Sequence, residues 1–164
     1  MQDQLQQLAQ AVGQALTAKG WLLGCAESCT GGLLASVLTD ASGASAWLSG
    51  GVVAYANAVK RDVLGVSQAI LEAKGAVSRE AVLAMAKGAR GVLQADVSVA
   101  ISGIAGPTGG TPQKPVGTVW MAWEGPQGAT VSRFHFDGDR MTVKRLAVRE
   151  ALAGLLALAG GGSD

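Results

Sequence analysis

The chain has 164 residues, a length typical of one domain that buries a sizeable core without disulfides or structural metals. Its formal net charge is +1 and 15% of its residues are charged, so composition gives no reason to expect binding to nucleic acid or to an anionic membrane. Aromatic residues make up 4% of the chain, too few for a platform that stacks single-stranded bases.

The N-terminal segment is predicted to form an amphipathic helix over residues 4–18, ended by a Lys-Gly pair. Its apolar residues recur at helical spacing: Leu5, Leu8, Val12 and Leu16. No basic region precedes an apolar core here, so this is not a secretory signal. The most apolar run, ALAGLLALAG, is about half the ~20 residues that span a bilayer. With Cys25 and Cys29 interpreted as reduced thiols, these features predict a cytoplasmic protein.

Residues 21–28 are predicted to form a short buried strand, and a helix to residue 39 follows at once. Ser28 therefore falls at the carboxyl end of a strand, the edge where ligands bind in open α/β sheets. The amides of residues 30–33 begin the helix, and Gly31 and Gly32 leave them uncovered, so they are candidates to bind phosphate or an oxyanion. The residues alone leave Ser28 equally a helix cap and a nucleophile.

Residues 48–56, LSGGVVAYA, predict a second strand that ends near Tyr55. Asn57 is predicted to cap a short helix that ends at Gly65. Lys60 lies about one turn into this helix. A lysine desolvated beside a serine can act as its base, although a solvated helix face is the more common place for a single lysine.

Two further helices are predicted, one from residue 68 to Gly75 with Ser67 as its cap and one over residues 79–95 opened by Ser78. The apolar strand from Val97 to Ile101 is typical of a sheet centre. The loop SGIAGPTGG, residues 102–110, follows this strand with a backbone-rich wall free of bulky side chains. A loop of this length is more often functional than a plain connector, and it is predicted to face the Ser28 loop across a cleft.

The segments TVWMAWEG and ATVSRFHF flank the turn GPQG and predict an antiparallel hairpin. The only histidine, His135, shares one face of the second hairpin strand with Arg133, while Phe134 and Phe136 share the other. A Ser-His-acid triad would have to use His135, but we interpret it as a surface residue of an edge strand. Lys60, assisted by Tyr55, is the better candidate base.

The last helix is predicted from Asp137 to about Leu158, with Asp139 or Asp137 as its cap. Arg140 lies in the first turn, where the helix dipole disfavours a cation. Either a bound anion offsets this penalty or Arg140 is an exposed helix residue. The rest of the chain, residues 160–164, is predicted to be a disordered tail.

These elements predict an α/β fold, a three-layer α/β/α sandwich with a mixed sheet, as a single domain over residues 1–159. No cluster of His, Cys, Asp and Glu has metal-ligand spacing, so no metal and no cofactor are expected.

Cys29 is the rival nucleophile. The helix N-terminus beside it is expected to lower its pKa, although we favour its interpretation as a small buried hydrophobic residue.

Five segments, in this order, are similar to the CinA C-terminal domain family: AESCTGGLLAS, GGVVAYANAVKRDVLGV, GAVSREAVLAMAKGAR, SGIAGPTGGTPQKPVGTVW and GDRMTVKRLAVREAL. The resemblance covers the chain from about Leu5 to Leu158. The motifs ESCTGG and SGIAGPTGG are highly specific as a pair.

The resemblance implies hydrolysis of the carboxamide of nicotinamide mononucleotide to nicotinate mononucleotide and ammonia. It implies that Ser28 is the nucleophile, assisted by Tyr55 and Lys60, and that Thr30 caps the helix so that Ser28 is free to react. The candidate substrate-binding residues are Thr30, Gly31, Gly32, Ser102, Gly103, Gly106, Pro107, Thr108 and Arg140.

Two alternatives remain open: a non-catalytic module that binds pyridine nucleotides, and a thiol-dependent hydrolase that uses Cys29. The expected partner is a small pyridine nucleotide, with no nucleic acid and no membrane. A homodimer is predicted from the small size and the apolar helices.

Overall fold

The computed structural model describes residues 1–160, which form a five-stranded sheet with helices on both faces. The strands are β1 (Leu23–Glu27), β2 (Leu48–Val53), β3 (Val97–Gly103), β4 (Thr118–Gly125) and β5 (Gly128–His135). The α-helices are α1 (Gln2–Lys19), α2 (Leu33–Thr39), α3 (Asn57–Asp62), α4 (Gln68–Ala73), α5 (Arg79–Leu93) and α6 (Arg140–Gly160), and a single 3₁₀ turn spans Ala44–Ala46.

The strand order is β2-β1-β3-β4-β5. Strand β1 runs parallel to both β2 and β3, whereas β4 is antiparallel to β3 and β5 is antiparallel to β4. This confirms the predicted mixed sheet of an α/β fold. Since β1, β2, β3 and β5 all run in one direction, the segments that follow them emerge at the same edge of the sheet.

Alternation along the strands divides the core into two layers. In β1, Leu23 and Cys25 pack in the cluster that includes buried residues of α1, α2 and α6, whereas Ala26 packs on the opposite face with buried residues of α5. Strand β3 is buried on both faces, as its apolar sequence predicts for a central strand. Helices therefore cover the sheet on both sides, as predicted.

Several predicted helix ends are confirmed. Gly20 ends α1 with a φ of 68°, a left-handed conformation that glycine adopts without a Cβ penalty. The hydroxyls of Ser67 and Ser78 accept hydrogen bonds from the third amide of α4 and of α5. At the start of α6, Asp139 and not Asp137 is the cap, because its carboxylate accepts a 2.8 Å bond from the amide of Thr142.

The predicted cap at Asn57 is wrong. Helix α3 begins at Asn57 itself, so the capping position falls on Ala56, which has no side chain able to accept a hydrogen bond. The predicted tail is wrong at Gly160, which is the last residue of α6, and the remainder of that tail lies outside the described residues.

Among residues 1–160, no helix is both long enough and apolar enough to cross a membrane. The single-domain boundary at residue 159 and the homodimer stay predictions.

Helix α5 packs so closely against the turn after α3 that the contact requires a glycine, Gly88. We predict the effect of adding a side chain there. A Cβ added at Gly88 would overlap the backbone carbonyl oxygen of Leu64. Gly88→Ala should therefore lower the free energy of unfolding by about 1–3 kcal/mol, the usual cost of overpacking.

Gly91 is the matched control, because it lies in the same helix and a Cβ there meets no atom within 4 Å. Gly91→Ala should raise stability by up to about 1 kcal/mol through helix propensity. Urea unfolding followed by circular dichroism measures both variants. Equal stability changes in the two would contradict the close approach of Leu64.

Candidate active site

A serine and a buried lysine meet at the sheet edge where the parallel strands end. Ser28 directly follows β1, and Lys60 belongs to α3, the first helix after β2. The Lys60 Nζ lies 3.0 Å from the Ser28 Oγ and donates a 2.9 Å hydrogen bond to the backbone carbonyl of Tyr55. Lys60 is 1% exposed. The interpretation of Lys60 as part of a solvated helix face is therefore wrong.

Burial lowers the pKa of Lys60 from its ordinary value, because the ammonium form loses hydration when it is removed from water. None of the ion pairs in the described residues involves this side chain. A neutral amine keeps one lone pair, which can accept the hydroxyl proton of Ser28 while an N–H bonds to the Tyr55 carbonyl. A hydroxyl within hydrogen-bond distance of a desolvated amine is an arrangement in which the amine can act as a base.

Glu27 holds the segment that follows Ser28. Its carboxylate is 1% exposed and accepts hydrogen bonds of 2.9 Å from the amide of Leu34 and 3.0 Å from the amide of Ala35. These two amides lie in the first turn of α2, so a strand residue provides the cap of the helix that follows it. Because strand side chains alternate between faces, Glu27 bonds to α2 while Ser28 turns toward Lys60.

The predicted helix cap at Thr30 is wrong, because the capping position is Gly32 and no side chain of that loop bonds there. Thr30 is fully buried, and its hydroxyl has no hydrogen-bond partner in the part of the chain that is described. Helix α2 also begins later than predicted, since Gly31 and Gly32 have φ values of 61° and 99°.

Several amides that were predicted to be free are occupied. The amide of Gly31 bonds to the Ser28 carbonyl at 3.1 Å and that of Leu33 bonds to the Thr30 carbonyl at 3.0 Å. No backbone carbonyl within residues 1–160 accepts a hydrogen bond from the amides of Cys29, Thr30 and Gly32. Of these residues, Cys29 lines the pocket beside Ser28.

The glycine-rich loop after β3 forms the opposite wall. The Ser102 hydroxyl donates a 2.8 Å bond to the carbonyl of Ala76, which fixes the end of β3 to the segment before α5. A Cβ at Gly103 would lie 2.7 Å from the backbone oxygen of Thr118, so only glycine fits there. Gly106 has a φ of 83° and precedes Pro107 through a cis peptide bond.

Arg140 joins this loop to Tyr55. Its guanidinium donates a 2.8 Å bond to the carbonyl of Gly106 and a 3.3 Å bond to the Tyr55 hydroxyl. A cation at the start of α6 thus has two acceptors from the protein itself. The hydrogen bond between Lys60 and Tyr55 uses the backbone carbonyl of Tyr55, whose side chain is largely exposed.

These residues surround a pocket of about 300 Å³. Among the predicted site residues, the pocket is lined by Ser28, Tyr55, Lys60, Ser102, Gly103, Gly106, Thr108 and Arg140. Four others do not line it, namely Thr30, Gly31, Gly32 and Pro107. The sequence reasoning missed further lining residues, which are Asn57, Ala76, Val77, Ile104, Ala105 and Gly109. Ile104, Ala105 and Gly109 belong to the loop of residues 102–110 that was predicted to face the cleft, and Asn57 lies between Tyr55 and Lys60. No sequence signal pointed to Ala76 and Val77.

The two rival groups differ in position and chemistry. Cys29 lines the pocket, but burial raises the pKa of its thiol to about 12, so the expectation of a lowered pKa is wrong. His135 does not line the pocket and lies on the edge strand β5, half-exposed, with its Nε2 3.3 Å from the carboxylate of Asp137. No group of three or more His, Cys, Asp or Glu within residues 1–160 is placed to hold a metal ion.

Comparison with known proteins gives consistent matches over most of the chain. The family model described as the CinA C-terminal domain matches residues 5–159. The chain is 48% identical over 151 residues to the nicotinamide-nucleotide amidohydrolase PncC of Escherichia coli K12, covering 92% of each. It is 49% identical over 144 residues to PncC of Enterobacter agglomerans, covering 87% of this chain and 88% of that protein.

A solved structure gives the same result for the fold. The chain superposes on a competence-damaged protein (CinA) superfamily protein from Klebsiella pneumoniae with a TM-score of 0.92 and 40% sequence identity. The match covers 96% of this chain and 98% of that protein.

The carboxylate of Glu27 yields a prediction about stability. In Glu27→Gln, one acceptor oxygen becomes an NH₂ group that faces a helix amide, so a buried donor loses its partner. We expect the free energy of unfolding to fall by about 1–3 kcal/mol. Glu72→Gln, at an exposed helix position, is the control and should change stability by less than about 0.5 kcal/mol. Denaturant unfolding measures both, and equal stability in the two variants would contradict the capping role.

Proposed function

Because the chain belongs to the CinA C-terminal domain family, we propose that it hydrolyses the carboxamide of nicotinamide mononucleotide to nicotinate mononucleotide and ammonia. The names of the two PncC relatives support the substrate and the reaction. The observation that carries the proposal is the 3.0 Å contact between the buried Lys60 amine and the Ser28 hydroxyl. A serine beside a desolvated lysine is suited to acyl transfer without a metal.

In the proposed first step, neutral Lys60 accepts the hydroxyl proton of Ser28 as the Oγ attacks the carboxamide carbon. The resulting tetrahedral intermediate carries an oxyanion, for which the amide of Cys29 is the candidate donor. The Lys60 ammonium then returns the proton to the leaving nitrogen. The C–N bond breaks, ammonia departs, and the acyl group remains on Ser28 as an ester.

In the second step, Lys60 accepts a proton from water as the water oxygen attacks the ester carbon. Return of this proton to the Ser28 Oγ breaks the ester and releases the carboxylic acid. One water is consumed and one ammonia is released in the complete cycle. The same lysine serves as base and acid in both halves, which requires its pKa to lie closer to neutrality than that of an exposed lysine.

The other pocket groups are proposed to bind and orient the nucleotide. Arg140 is the candidate for the phosphate, since its guanidinium is held at the pocket by Gly106 and keeps further N–H donors. The backbone of the glycine loop is the candidate surface for the ribose. Tyr55 is proposed to orient Arg140 through its hydroxyl and Lys60 through its carbonyl.

No observation favours either alternative function. The raised pKa of the Cys29 thiol argues against a thiolate nucleophile at neutral pH. The direct contact between Ser28 and Lys60 argues against a module that only binds nucleotides.

The test is an ammonia-release assay with nicotinamide mononucleotide on the wild type and three variants. Ser28→Ala and Lys60→Met should each lower kcat by at least about 10²–10⁴-fold, because a nucleophile or its base is lost. Cys29→Ala, the matched control in the same loop, should keep kcat within about threefold. Substrate binding by Ser28→Ala, measured by calorimetry, should persist.

Each alternative would give a different pattern. Loss of activity in Cys29→Ala with activity kept in Ser28→Ala would establish the thiol hydrolase. Nucleotide binding without ammonia release by the wild type would establish the non-catalytic module. Full activity in Lys60→Met would transfer the base to another group.

The buried lysine also determines a pH dependence. The protonated ammonium cannot accept the Ser28 proton, so kcat/KM should fall tenfold per pH unit below the pKa of Lys60 and level off above it. Because burial lowers this pKa, the pKa read from the rise of kcat/KM with pH should lie below the ~10.4 of an exposed lysine. A pH series of kcat/KM at constant ionic strength measures it. A value equal to the ordinary lysine pKa would contradict the role of the neutral amine.

A further inference from the structure

Four cations line a second groove, on the far side of the segment that precedes α5. We call it the basic groove and define its cations as Lys74, Arg79, Lys114 and Arg133. Its volume is about 370 Å³, within the range of small-molecule sites. None of the ion pairs in the described part of the chain involves any of the four cations.

The charge of the basic groove is locally uncompensated. The one acidic residue that lines it is Glu80, so four cations oppose a single carboxylate. The other nine basic residues of the chain are outnumbered by eleven acidic ones, given totals of 13 and 12. The groove is therefore a concentrated positive region on a chain that is otherwise net acidic, which attracts a small anion better than an extended polyanion.

Two of the cations are held in place by the protein backbone. The Lys114 Nζ donates a 2.7 Å hydrogen bond to the carbonyl of Lys74, which joins the segment between β3 and β4 to the residue that follows α4. Arg133 donates a 2.8 Å bond to the carbonyl of Gln113 and lies 5.8 Å from the ring centroid of Trp120. Each of these two side chains keeps N–H donors beyond these bonds, and these donors are free to bind a ligand at the groove.

We propose that the basic groove binds a small anion that carries two or more phosphate groups. One phosphate leaves part of the fourfold charge unpaired, whereas linked phosphates carry enough charge for all four cations. These come from the residue after α4, the start of α5, the segment between β3 and β4, and β5. Arginine and lysine are the side chains that best recognise phosphate oxygens. Nucleic acid is disfavoured, because the net charge of +1 leaves no basic surface to follow a backbone beyond the groove.

The basic groove and the candidate active site are neighbours, since Val77 lines both. Arg140 at the active site is itself able to hold a phosphate. An experiment on the groove must therefore separate the two positions by substitution, and binding rather than turnover is the suitable readout.

The experiment is isothermal titration of the full chain with inorganic tripolyphosphate, without divalent metal, at low and at moderate ionic strength. We expect binding of one tripolyphosphate per chain that weakens as salt rises. Lys74→Gln combined with Arg79→Gln should weaken binding about tenfold for each cation removed. Both side chains are exposed, so circular dichroism should show an unchanged fold.

Two control variants give the test its specificity. Lys87→Gln combined with Arg145→Gln removes the same charge from exposed positions outside the groove and should leave the dissociation constant within about twofold. Arg140→Gln should also bind normally. Equal weakening by the Lys87/Arg145 pair, loss of binding in Arg140→Gln alone, or no binding by the wild type at millimolar tripolyphosphate would each overturn the proposal.

Discussion

The candidate site depends on the contact between the Lys60 amine and the Ser28 hydroxyl. This contact matters chemically because the lysine is buried. Burial lowers the pKa of Lys60 below that of an exposed lysine, which favours the neutral amine, the form that has a lone pair to accept a proton. The fold holds Lys60 out of water on a short helix, and none of the ion pairs within residues 1–160 gives it a carboxylate partner. Close packing of α5 at Gly88 against Leu64 anchors the turn that follows this helix.

Pleating of β1 lets two neighbouring polar residues serve different purposes. Glu27 faces the layer that contains α2 and caps that helix, while Ser28 faces the lysine. A buried carboxylate at this position is costly unless it is fully hydrogen-bonded, and the first turn of α2 supplies the two donors. The serine thus lies in a turn between the strand and the helix that Glu27 caps.

The sequence predicts the sheet and its helices well because apolar periodicity and glycine ends are local signals. It predicts that Ser28 and the loop after β3 lie at one edge, since that follows from parallel strands alone. The burial of Lys60 was not predictable, because one lysine on a short helix looks the same whether it faces solvent or a pocket. The cap from Glu27 had a signal that was overlooked: a carboxylate at the end of an apolar strand must find donors.

The residues of the candidate site come from two separate stretches of the chain. Ser28 and Lys60 both belong to the segment from β1 to α3, whereas the glycine-rich wall and Arg140 come from β3 onward. In the proposed mechanism, bond breaking is thus carried by one contiguous stretch and substrate recognition by another. If the proposed roles hold, substitutions in the second stretch can change which amide is accepted while the contact between Ser28 and Lys60 stays the same.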